Sequence, residues 1–119
     1  MMRTRRRFAV NVESLEGKAL LSTLPILTQH TYSQVLVQID KAAGTYAKTH
    51  NPNMFDAALA QISYKIPYGH SQLYPTWQAD EAIYNPTVRG SGVQMVQQIK
   101  ADLRNYVLTA IADGSMRFH

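Results

Sequence analysis

The chain has 119 residues, 45% of them apolar and 17% charged, a balance that fits one domain with one hydrophobic core and excludes a disordered body. It has no cysteine, which removes disulfides and thiolate metal sites, and no run approaches the roughly 20 apolar residues that a membrane-spanning helix needs. The net charge of +4 is unevenly placed: residues 1–27 carry five basic and two acidic side chains, and residues 28–119 carry seven and six, so the body lacks the basic surplus of a nucleic-acid-binding face.

In chain order, the first 27 residues read as a leader. Arg3, Arg5, Arg6 and Arg7 are too hydrated for a core and too mutually repulsive to nucleate structure. A short amphipathic stretch follows from Val12 to Ser22, interrupted by Gly17, and a modest apolar stretch runs from Ala19 to Leu27. A basic region ahead of an apolar one is the order of a secretory signal. Ser22, Thr23 and Pro25 dilute the apolar part, however, and no small-x-small cleavage site follows it. The plain alternative is a disordered basic arm that touches nucleic acid or anionic lipid.

The run Arg5, Arg6, Arg7 and then Val12-Glu13-x-Leu15-Glu16-x-Lys18-x-Leu20-Leu21-Ser22 resembles the LEPR-XLL segment found at the N-terminus of planctomycete extracellular proteins. This chain has Lys18 where that family usually has arginine and Gly17 where it often has proline, so the positive charge is kept but the bidentate fork is lost. The resemblance covers about residues 5–22. It implies export to the cell surface or beyond, through export machinery that reads Arg5, Arg6, Arg7, Leu15, Glu16, Lys18, Leu20 and Leu21. It implies nothing about activity.

From Thr28 the apolar residues recur at three- and four-residue steps, the period of helices. The spacing predicts a first helix over about Tyr32–Thr49, with Thr31 and Gln34 as a capping box, Gly44 as a weak point and Asn51-Pro52 as the stop. A second helix is predicted from near Asn53 to about Lys65, capped by Asn53 itself or by Asn51 with Pro52 as first helical residue. A short helix is expected over Pro75–Tyr84, with Trp77, Ala79, Ala82 and Ile83 available to pack. The last helix is predicted over 91–112, with Ser91 and Gln94 as a capping box. Val93, Val96, Ile99, Leu103, Tyr106, Val107, Ala110 and Ile111 form its narrow seam of coiled-coil type. The predicted fold is all-α: a small antiparallel bundle of three longer helices and one short helix over 28–119, preceded by a disordered or loosely helical leader over 1–27.

The spacing of reactive residues supports no catalytic site. His30, His50 and His70 fall at predicted helix ends or loops, and no pair stands at metal-binding helical spacing. There is no nucleophile elbow, and the Arg89-Gly90-Ser91-Gly92 turn lacks a phosphate-loop lysine. Asp80 and Glu81 point about 100° apart on a helix, so they do not face each other across a substrate. No metal and no cofactor is expected. The segment from Tyr64 to Tyr84 stands out, because it holds five of the eleven aromatic residues. Aromatic faces beside amides and hydroxyls suit a sugar ring or a peptide, and they also suit pinning a long connection to a core. The ligand-contact reading falls on Tyr68, His70, Tyr74 and Trp77. The expectation is an exported helical protein without catalysis, an interaction or structural module at the cell surface or outside the cell. Its partners would be a protein or carbohydrate ligand, and a second copy meeting the exposed edge of the last helix. Two alternatives stand beside it: an enzyme assembled from dispersed His and Asp or Glu residues, and a nucleic-acid binder using the arginine cluster.

Overall fold

The computed structural model describes residues 24–119; the leader residues Arg5, Arg6, Arg7, Leu15, Glu16, Lys18, Leu20 and Leu21 lie outside the described part. The order is β1 (Ile26–Leu27), α1 (Gln29–Thr49), α2 (Pro52–Ser63), α3 (Gly69–Gln72), α4 (Tyr74–Asp80), a 3-10 turn (Glu81–Ile83), α5 (Ser91–Ala112) and β2 (Arg117–Phe118). The body is all-α, with three long helices packed antiparallel and short helical pieces closing one side.

Helix α1 begins three residues before the predicted start because Thr28, not Thr31, is its cap: the Thr28 hydroxyl accepts from the Thr31 N–H at 3.0 Å. It ends at His50, whose left-handed backbone places its N–H on the Tyr46 carbonyl. Asn51 caps α2 through Oδ1, which accepts from the Met54 N–H at 3.1 Å, and Pro52 opens the helix where no N–H is needed. Val35 and Ile39 of α1 and Phe55, Leu59 and Ile62 of α2 meet in the core, with Tyr46 stacked on Phe55 at 4.8 Å between ring centres.

Helix α5 departs from the predicted seam. Its buried positions are Ser91, Met95, Ile99, Leu103, Val107 and Ala110, while Val93 is 62% exposed. A heptad seam alternates three- and four-residue steps. Repeated four-residue steps instead advance about 40° past each full turn, so the stripe winds around the helix. That winding lets one helix face α1 on one side and α4 with the 3-10 turn on the other. The expected Ser91 capping box does not form either. Gly90 is the cap residue, and buried Ser91 instead ties down the preceding loop, accepting from the Asn85 N–H at 2.9 Å and donating to its carbonyl at 2.7 Å.

The single helix expected over Pro75–Tyr84 is two pieces, α4 and the 3-10 turn, preceded by the unforeseen α3. Of the packing residues expected there, Trp77 is buried and Ile83 half-buried, but Ala79 and Ala82 are exposed, and Leu73 fills the core in their place. The boundary between leader and body also moves. Ile26 and Leu27 pair in parallel with Arg117 and Phe118, and Leu27 is a core residue. The start and the end of the bundle are thus tied together, with Arg117 N–H on the Pro25 carbonyl at 2.9 Å and His119 N–H on that of Leu27 at 3.0 Å.

Candidate functional site

The aromatic segment assembles around one close approach. A Cβ at Gly69 would sit 2.5 Å from the Ser63 carbonyl oxygen and 2.8 Å from Ile66 Cβ, so only glycine lets α3 fold back against the end of α2. Tyr68, immediately before it, takes the left-handed backbone that few non-glycine residues adopt. The result is a ladder of three nearly parallel rings. His70 stacks on Tyr64 at 4.1 Å and on Tyr74 at 5.0 Å between ring centres. Tyr64, one end of the ladder, is 64% exposed, and Tyr74 at the other end is half-buried; Tyr68, outside the stack, is 60% exposed. The Tyr106 hydroxyl donates to the Pro67 carbonyl at 2.6 Å and pins the connection to α5.

On the inner side of the ladder, the polar groups of His70 and Tyr74 are bonded within the protein. The Ser63 hydroxyl donates to the Ala60 carbonyl at 2.6 Å, which leaves its oxygen to accept from His70 Nδ1 at 3.2 Å. Nδ1 therefore carries the proton and Nε2 is left as the acceptor. Ser63 is fully buried, with its proton already given to a carbonyl, so it is no nucleophile. Tyr74 donates to Asp56 Oδ2 at 2.6 Å and accepts from Gln78 Nε2 at 3.1 Å. Burial and then the bond to Asp56 push the Tyr74 phenol up to about 12.

The four sequence candidates thus separate. His70 and Tyr74 come together in the stack, and Tyr68 stands exposed two residues before His70 without joining it. Trp77 does not join them: it is fully buried in the core and donates its indole N–H to the Ile99 carbonyl at 3.0 Å. Its ring packs α4 onto α5 and is out of reach of any ligand. Tyr64, which the ligand reading passed over, is the exposed end of the ladder.

Sequence reasoning also missed the carboxyl pairs. Asp80 and Glu81 point apart as neighbours on a helix must, and each finds a different acid: Asp80 reaches Asp102 of α5 and Glu81 reaches Asp56 of α2. Asp80 Oδ2, Glu81 Oε2 and Asp102 Oδ2 are buried without a donor among the ionised side chains around them. One shared proton in each pair supplies the missing donor. Burial first, and the acceptor opposite second, raise Asp80 to about 7 and Glu81 to about 8. Asp56 is held low, chiefly by the bond from Glu81 and then by that from Tyr74. No spacing in the sequence announces this arrangement, because its partners are 22 and 25 positions away.

Among the described residues, no group of three or more His, Asp or Glu side chains could hold a metal ion, and no helix is long and apolar enough to cross a membrane. His30, His50 and His119 are exposed and apart from the ladder. Two grooves flank α1, one against α2 and one against α5, and neither includes a carboxyl pair or His70. Compared with known protein families, with curated proteins and with solved structures, the chain matches none.

Proposed function

We propose that this chain is a small exported interaction module without catalysis of its own, which presents the Tyr64–His70–Tyr74 ladder and Tyr68 to a protein or carbohydrate ligand. The observation that carries the reading is a stacked aromatic edge whose His70 Nδ1 and Tyr74 hydroxyl are bonded within the protein and whose end ring, Tyr64, is exposed beside exposed Tyr68. Such an edge offers flat apolar faces at low entropic cost and little reactive chemistry. Export rests on the resemblance of residues 5–22 to the LEPR-XLL segment.

The enzymatic alternative asks for a cleft that brings His50 or His70 within reach of Asp80 or Glu81. His70 faces Ser63 instead, and the carboxyl pairs face each other. The nucleic-acid alternative rests on the arginine cluster alone, and it predicts binding that weakens steeply with salt. Self-association through α5 would use exposed Val93, Leu108 and Ile111; sedimentation independent of concentration would exclude it.

Two measurements test the proposal. Intact mass of the native protein from each fraction of the source organism reports compartment and processing, and an uncut chain in the cytosol would overturn export. Titration of labelled protein with soluble oligosaccharides and peptides is expected to shift Tyr64, Tyr68 and His70 resonances together. Tyr64→Ala should then weaken binding by about tenfold, the loss of one stacked ring. Shifts scattered away from this edge would overturn the ligand reading.

A further inference from the structure

The groove between α1 and α2 is separate from the aromatic edge and is polarised along its length. It encloses about 390 Å³, within the range of small-molecule sites. Its floor is apolar, built from Phe55, Ala58 and Ile62, and Met54 stands 48% exposed beside the turn that joins the two helices. At the end away from that turn, the lining holds Lys41 and Gln38 of α1 and Lys65 just past α2. Lysine is the only charged residue type in the lining. Among the described residues neither lysine forms an ion pair; the single pair is Lys100 with Asp40. Gln38 Oε1 is buried and has no hydrogen-bond partner, and the same amide carries an N–H₂ group able to donate to an anion.

We infer that this groove binds a single-chain amphiphile with an anionic head, the head held between Lys41 and Lys65 and the tail lying over Ala58 toward Met54. The charge asymmetry selects this occupant over a neutral or cationic one. Length agrees with it. From Gln38 to Thr49 the lining of α1 spans roughly 16 Å at about 1.5 Å per residue, room for an extended chain of about ten to twelve carbons. The groove is open to solvent on one side, so part of the tail stays wet and the affinity expected is modest, on the order of micromolar.

The test is a titration of the full chain with dodecanoate below its micelle concentration, followed by calorimetry and by the methyl resonances of Met54, Ala58 and Ile62. One-to-one binding that shifts these methyls is expected, with dodecyltrimethylammonium at least tenfold weaker. The exposed-side variant Lys41→Gln/Lys65→Gln should lose tenfold or more in dodecanoate affinity with its melting temperature nearly unchanged, and Lys48→Gln should lose none. Ala58→Trp, which fills the floor, should abolish binding. Absence of saturable binding, equal affinity for the two detergents, or binding indifferent to both lysines would overturn the inference. So would contacts from Met54 to Leu15, Leu20 or Leu21 in the ligand-free chain, which give the groove to the chain's own leading segment. Shifts of the same methyls on dilution alone would give it to a second copy, with the same consequence.

Discussion

Helix α5 is held on its two sides by opposite chemistry. Toward α4 the Trp77 ring is fully enclosed, its N–H is spent on the Ile99 carbonyl, and Asp80 faces Asp102 with one oxygen of each buried. Toward α1 the polar contact is an ion pair at the surface, Lys100 with Asp40 at 2.8 Å, with side chains 34% and 58% exposed. Water screens the second, whereas in the first the Trp77 ring is wholly enclosed and one oxygen each of Asp80 and Asp102 is buried. The shorter and less regular helix should therefore be the more firmly anchored, and the more sensitive to pH.

Truncating Trp77 to alanine is expected to have the largest effect, a loss of about 3 to 5 kcal/mol in denaturant unfolding, because it empties the α4–α5 contact and removes the indole bond to the Ile99 carbonyl. A loss near 1 kcal/mol would show that the α4 side is not the stronger anchor. The second effect is on pH dependence. Asp80 and Glu81 hold protons in the folded chain up to about 7 and 8, whereas the unfolded chain releases them near 4. The folded state thus binds more protons between those limits, and its stability is full below about 4 and falls as pH rises toward 8. Asp56, held low, acts in the other direction and withdraws stability below about 4. Melting temperatures across pH 4 to 9 should fall accordingly. Asp80→Asn with Glu81→Gln keeps a donor for each partner and should flatten that fall; an unchanged slope would place the protons elsewhere.

Smaller effects belong to the α1 side. Gly44 lies inside α1 with open space where a Cβ would go, so Gly44→Ala should stabilise by about 1 kcal/mol, the helix-propensity difference alone. A destabilisation would mean that the groove beside it closes on something. Asp40→Ala should cost about 0.5 kcal/mol or less at low salt and nothing measurable at 1 M salt. An effect as large as that of Trp77→Ala would erase the contrast between the two sides.

The long helices were legible because their signal is local. Val35 and Ile39 in α1, Phe55, Leu59 and Ile62 in α2, and Ile99, Leu103 and Val107 in α5 recur at helical steps, and Asn51-Pro52 separates the first two. In α5, three-residue steps backward from Ile99 through Val96 lead to Val93, whereas a four-residue step from Ile99 leads to Met95, and both are helical patterns. Only packing in the tertiary core chose Met95, which is buried while Val93 is exposed. The aromatic edge was half legible: composition drew attention to residues 64–84, but it could not separate Trp77, which went inward, from Tyr64, which stayed out.

What the sequence determined by itself is the class of the fold, the extent of its three long helices and the near-neutral charge of its body, because these follow from neighbours within one or two turns. Tertiary structure alone decided that Leu27 joins the core through a strand pair with the far end of the chain, that His70 is clamped between two tyrosines, and that Asp80 and Glu81 each meet another acid. Those outcomes depend on groups four to 91 residues apart in the chain being brought into contact, some of them in water-poor space. There the free energy of a buried ring or carboxyl is set by what faces it and not by what adjoins it in the chain.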